Sequence, residues 1–277
     1  MGETAVSLRE HCARLSNLLA VISQQSRIGA CDHWNGASDW LYVAASVESV
    51  SVNTTAYDDS TEMCGDAWDY PSARSTALSE IATEVSRFTF VWGGLEFSLH
   101  ALDLPPVPKA LKAGSGLIQR AAYYLTIHPR CNPVAAYKES LADIHAALRA
   151  LNDAHWLPYF KLTPWCSFAG IGLNIVRLLR NSFAHGSRDL PEAPDQWTIH
   201  EVKLVQASLR TILLTLQELI RLRLRQELIM ADWLLKDGVD RENRPFDELL
   251  RVLHLKAAYS DTLSEQADMF RADRCKK

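Results

Sequence analysis

The chain carries no excess of positive charge. Its 29 lysines and arginines are outnumbered by 33 aspartates and glutamates, for a formal net charge of −4. Non-specific affinity for nucleic acid comes from many basic contacts to phosphate, so general coating of DNA or RNA is excluded and any RNA site must be local. Paired-cysteine spacing is missing as well. Cys12, Cys31, Cys64, Cys131, Cys166 and Cys275 are scattered without a Cys-x-x-Cys, and no leader with a basic start and an apolar centre precedes them, which predicts reduced thiols and a cytoplasmic location. Cys31-Asp32-His33, in a polar loop, and His11-Cys12, inside the first helix, both fall short of a tetrahedral ligand set, so no metal and no cofactor is expected. No apolar run reaches the ~20 residues that span a bilayer. Charges interrupt even the Leu-rich segment at 204–235, and no membrane partner is expected. Patterns of the GxxxxGK[ST], His-Glu-x-x-His and Gly-x-Ser-x-Gly kinds are absent, which leaves nucleotide hydrolase, zinc protease and serine hydrolase chemistry without support.

Strand signals are nearly absent too. The best alternating window is Ser49 to Asn53, where Val50 and Val52 alternate with polar residues. What is present is helical periodicity over a chain large enough, at 277 residues with 48% hydrophobic content, to bury a substantial core. Apolar spacing predicts helices over 4–25, 76–103, 109–127 and 133–152, a helix running to Phe183, a long helix from Thr198, and further helices at 231–235, 246–257 and 260–271. Gly114-Ser115-Gly116 reads as a local turn or helix interruption. Residues 26–75 are rich in Gly, Ser, Asn, Asp and Thr and read as an irregular excursion with one short helix near Ser38 to Glu48. The expected fold is all-α, organised as 1–75 (helix and excursion packed on the core), 76–230 (helical core) and 231–277 (helical extension).

The chemistry concentrates at the end of one helix. Ile171, Leu173, Ile175, Val176, Leu178, Leu179 and Phe183 predict that helix, and at about 100° per residue Leu178, Ile175, Leu179, Phe183 and Val176 fall on one side. Asn174, Arg177, Asn181, His185 and Arg188 take the other, with Arg180 at the flank and no carboxylate before Asp189. A solvated face ordinarily mixes Glu with Lys, whereas this one is suited to receive an anion. Imidazole exchanges protons readily near neutral pH, which makes His185 the natural general acid or base. The planar fork of Arg180 matches two phosphate oxygens and can stabilise a pentavalent phosphorus. Asn181, one turn before His185, can hydrogen-bond the imidazole or the substrate. Five residues of helix separate Arg180 from His185 by about 140°, so they converge through a long arginine reach or through a second copy of the helix.

Arg180-Asn181-Ser182-Phe183-Ala184-His185 resembles the Arg-Asn-x-x-x-His signature of the HEPN superfamily, small all-helical domains of prokaryotic toxins and antiviral systems, many of them metal-independent endoribonucleases. The resemblance implies a HEPN-like bundle over about 76–230, Arg180 and His185 as the catalytic pair, Asn181 as its polar neighbour, and a homodimer whose paired helices form one composite cleft. It also implies that Glu96, on the 76–103 helix, matches an acidic residue that orients Arg180 or Arg177; a partly exposed helix residue or a structural ion pair is the other reading of that position. Asn174 and Arg188 are candidate RNA contacts. Arg221, Arg223 and Arg225 offer a further basic patch, or a solvated helix face. The chain departs from one branch of the family: Ser187 stands where toxins silenced by a nucleotidyltransferase carry a tyrosine.

The expected function is therefore RNA cleavage, of tRNA or mRNA, by a toxin or antiviral effector, with an antitoxin or defence-system partner. Two other readings stay open. One is a non-catalytic HEPN-like module that binds RNA or a nucleotide, or serves dimerisation or sensing. In the other, His185 merely complements the helix dipole and Arg180 is a surface ion-pair donor.

Overall fold

The computed structural model describes residues 5–24, 31–57, 69–224 and 246–256. Its helices are α1 (Leu8–Gln24), α2 (Cys31–Ser46), α3 (Asp69–Leu102), α4 (Leu117–Ile127), α5 (Tyr137–Ala150), α6 (Phe168–Ala184), α7 (Gln196–Arg223) and α8 (Phe246–Val252), with short 3-10 segments at Thr55–Tyr57, Lys109–Leu111 and Ala154–Phe160. The fold is all-α; among the described residues there is no strand beyond isolated bridges at Ala5–Leu255 and Thr163–Cys166. No described helix is long and apolar enough to cross a membrane. The helices expected at 231–235 and 260–271, together with Cys64, Arg225 and Cys275, lie outside the described residues.

Helix α7 is buried nearly all round and forms the axis of the molecule, packing on α5, α3, α6, α8 and α1. Its N-terminus is set by Asp195, whose side chain accepts the Thr198 N–H at 3.0 Å. Burial obliges each polar group on this helix to find a partner. Glu201 takes Arg188, and Glu218 takes Arg221 through two hydrogen bonds of 2.6 and 2.8 Å. Gln217 donates to the Leu250 carbonyl at 2.6 Å and accepts from buried His11, which joins α1, α7 and α8. Thr211 and Thr215 donate back to carbonyls one turn earlier.

Within the excursion expected at 26–75, the described residues 31–57 and 69–75 are more ordered than their composition implies. Trp34, Ala37, Leu41 and Ala44 form a buried helical stripe, so α2 covers Cys31–Ser46 and Cys31-Asp32-His33 opens a helix rather than lying in a loop. Reciprocal bonds of 2.9 Å between the Ser16 and Ser38 hydroxyls and each other's carbonyls lock α1 against α2. The Val50/Val52 alternation belongs to an extended segment that runs along α3 instead of joining a sheet. The backbone N–H groups of Val50, Val52 and Thr54 donate to the hydroxyls of Thr83, Ser79 and Ser75 at 2.8, 2.9 and 3.0 Å. Two extended residues advance about 6.7 Å and four helical residues about 6 Å, so the two periods match closely enough for a ladder.

Helix α6 packs against α4 and α7. A Cβ on Gly170 would stand 2.7 Å from the Ala122 carbonyl oxygen, so glycine is what allows the α4 and α6 backbones to approach there. Buried Tyr137 accepts the Gly172 N–H at 3.1 Å and donates to the Ala169 carbonyl at 2.8 Å, tying the start of α6 to the start of α5. The other end closes on Gly186 at φ 61°. The Gly186 N–H reaches the Phe183 carbonyl at 3.2 Å and the Ser187 N–H reaches that of Ser182 at 3.0 Å, a Schellman cap that leaves His185 as the last residue before the left-handed turn.

Candidate functional site at the end of α6

Ile175, Val176 and Leu179 are buried, as the apolar spacing requires, while Leu178 and Phe183 are half-buried at the edge of that stripe. Asn174, Arg177, Arg180 and Asn181 are half-buried on the remaining surface, and His185 is exposed at the C-terminal cap. The His185 backbone N–H donates to the Asn181 carbonyl at 3.0 Å. Its imidazole and the Asn181 amide have no partner among the described residues. The α-helix stays regular through Ala184, so the separation of about 140° between the Arg180 and His185 directions persists in one chain.

Arg177 and Arg180 are the arginines of this surface that have no carboxylate partner among the described residues. Arg177 donates to the Asn174 side-chain oxygen at 3.2 Å, and its Nε–H has no partner among the described residues. The Arg180 guanidinium carbon lies 5.8 Å from the centre of the Trp92 ring, and no carboxylate comes within 4.0 Å of it among the described residues. Trp92 is buried, and its indole N–H donates to Glu96 Oε1 at 2.7 Å. Glu96 is exposed and makes no ion pair with Arg177 or Arg180. Its link to Arg180 runs through the indole: the carboxylate accepts from the ring N–H, and the guanidinium lies over the ring in a cation–π contact. Phe88, stacked on Trp92 at 6.3 Å and tilted against Phe183 at 6.1 Å, continues this aromatic seam between α3 and α6.

Arg188, a candidate RNA contact, is committed elsewhere. Its Nε donates to both Glu201 oxygens at 3.1 and 3.2 Å, its terminal nitrogen bonds Asp153 at 2.8 Å, and its side chain is 10% exposed. Burial pushes the Glu201 carboxyl upward in pKa and the Arg188 hydrogen bonds and charge draw it back. Arg221 is likewise no surface residue: it is fully buried and paired with Glu218. Arg223 is exposed but donates its Nε–H to the Leu102 carbonyl at 3.1 Å, and Arg225 lies outside the described residues. The candidate anion-receiving surface thus narrows to Arg177, Arg180, Asn174, Asn181 and His185.

Trp92 is the participant that the sequence reading passed over. Its signal was the four-residue spacing to Glu96, which places an indole and a carboxylate on one helical face. Arg180 lies 88 residues further along the chain, and nothing local announces that contact. No family model matches the chain, and no curated protein and no solved structure matches it either.

Proposed function

We propose that the chain is a metal-independent endoribonuclease of the HEPN kind, acting in the cytoplasm as a toxin or antiviral effector. The observation that carries this reading is that Arg180 and His185 stand at the end of α6 with guanidinium and imidazole free of carboxylate partners among the described residues. An arginine meant only for a surface ion pair has a carboxylate beside it, as Arg9 has Glu48 at 3.3 Å. In the reaction, the 2′-oxygen attacks the adjacent phosphorus and the bond to the 5′-oxygen breaks. His185 handles the protons, Arg180 stabilises the phosphorane, Asn181 positions the substrate, and Arg177 and Asn174 hold neighbouring phosphate. Two copies pair their α6 helices so that Arg180 and His185, which diverge on one helix, meet in a composite cleft. RNA, tRNA or mRNA, is the substrate, and an antitoxin or defence-system partner restrains the activity.

The chemistry is tested with an oligoribonucleotide carrying a single 2′-deoxy residue at its mapped cleavage position. The proposal requires that this one substitution abolish the cut and that the native substrate yield a 2′,3′-cyclic phosphate and a 5′-hydroxyl. Cleavage that persists at the deoxy position would refute in-line attack by the 2′-oxygen.

A further inference from the structure

A pocket of about 750 Å³ opens between the start of α1, the middle of α3, α5 and the first half of α7, with no residue of α6 in its wall. Its described lining residues include four cations, Arg9, Arg87, Lys203 and Arg210, and two carboxylates, Glu84 and Asp143; Arg9 is also paired with Glu48 at 3.3 Å. This local positive excess occurs in a chain whose net charge is −4.

Two of the cations are buried. Arg87, 5% exposed, bonds Glu84 at 2.6 Å and the Val47 carbonyl at 2.9 Å. Arg210, 3% exposed, reaches His11 Nδ1 at 2.8 Å and the Val6 carbonyl at 2.6 Å. In both, the Nε–H has no partner among the described residues. Arg210 has no carboxylate within 4.0 Å among them at all. Its neighbours are neutral: the carbonyl carries no charge, and burial together with Arg210 itself holds the His11 imidazole well below its ordinary pKa. A buried guanidinium without a counter-charge is costly, and the open volume that adjoins it is the pocket.

We infer that this pocket binds a small organic phosphate monoester, with Arg210 and Arg87 as buried anchors and Lys203 and Arg9 at the rim. A phosphate monoester carries about −1.5 to −2 at neutral pH, and Arg210 and Lys203 are the lining cations that have no carboxylate within 4.0 Å among the described residues, whereas Arg87 and Arg9 are paired with Glu84 and Glu48. The volume lies in the ~300–1,000 Å³ range of small-molecule sites and leaves room for an organic moiety beyond the phosphate. Asp143 and Gln206 offer acceptors to the hydroxyls of a sugar, so the class proposed is a sugar phosphate.

The test is calorimetric titration of the full chain with ribose 5-phosphate, with ribose and inorganic phosphate titrated in parallel at constant ionic strength. The expected result is saturable binding of one ribose 5-phosphate per chain, at least tenfold tighter than inorganic phosphate, with no heat from ribose. Lys203→Glu, which reverses an exposed rim charge, should weaken that binding tenfold or more, while His185→Ala should leave it unchanged. No saturable binding by the folded wild-type chain, or equal binding by Lys203→Glu, would overturn the inference. Inorganic phosphate binding as tightly as the ester would overturn the organic-ligand assignment. None of these outcomes bears on RNA cleavage by Arg180 and His185, so the two readings fail separately.

Discussion

The Arg180 guanidinium lies over the face of Trp92, 5.8 Å from the ring centre, and the edge of the same ring is held by Glu96. An arginine that must meet a phosphate cannot also be tied up by a carboxylate; a π face positions it while leaving its donors free. The relay fixes what each member does when removed.

Glu96→Ala and Trp92→Phe should each lower RNA cleavage by about tenfold, the scale of one hydrogen bond to a charged group, because each leaves Arg180 over a ring that is no longer oriented. The double variant should be little worse than either single one, since both act through one contact. Cleavage rates of the four proteins in a double-mutant cycle decide this, and fully additive losses would show that Glu96 and Trp92 work independently.

Arg188 and Arg177 should behave in opposite ways. Removing Arg188 leaves Glu201, whose side chain is 2% exposed, as an uncompensated buried carboxylate, and Arg188→Ala should destabilise the fold by roughly 3 kcal/mol or more. Arg177→Ala removes no carboxylate partner, so its unfolding midpoint should stay close to wild type while RNA affinity falls and the slope of log affinity against log salt drops by about one. Urea unfolding of both variants and salt-dependent RNA binding by Arg177→Ala check the pair of outcomes.

How much of this was legible follows from the range over which each residue acts. Helix α6 and its cap could be read because the apolar stripe, the Arg-Asn-x-x-x-His run and Gly186 are all local. Helix α2 could not be delimited, because Ala37 and Ala44 contribute to its buried stripe without standing out as hydrophobic. The extended segment at 50–54 showed its two-residue period, but the period alone does not say that the partner is a row of helix hydroxyls rather than a strand. Arg188 and Arg221 were read as available because a sequence displays the face an arginine occupies and conceals the carboxylate that meets it. The pocket around Arg210 joins four helices distant in sequence and left no local mark.

Acid should loosen the packing of α1 and α8 on α7. Burial, reinforced by Arg210 and Arg14, holds the His11 pKa well below its ordinary value and that of His254 down to about 4. Both imidazoles are therefore neutral in the folded chain while the unfolded chain takes up protons from ~6.5 downward. The stability they allow is fully present above ~6.5 and is lost as pH falls toward and through about 4, at up to ~1.4 kcal/mol per pH unit for each histidine. Urea unfolding between pH 8 and pH 4 should show a plateau and then this decline, shallower in His254→Phe; a stability that is level down to the carboxylate range would contradict it.

If the cleft is composite, each dimer needs Arg180 and His185 from suitable subunits. Mixing inactive Arg180→Ala with inactive His185→Ala, after unfolding and refolding together, should restore a fraction of wild-type cleavage through heterodimers that hold one intact pairing. Sedimentation confirms that mixed dimers form, and mixed dimers with no activity would argue against sharing between subunits.

The most direct measurement is cleavage of labelled tRNA and total RNA in excess EDTA by wild type, Arg180→Ala and His185→Ala, each shown to be folded and of unchanged oligomeric state. The account requires cuts by the wild type that end in a cyclic phosphate and fall by at least ~10³-fold in both variants, the combined scale of proton transfer and charge stabilisation. The same cutting by all three proteins would contradict it.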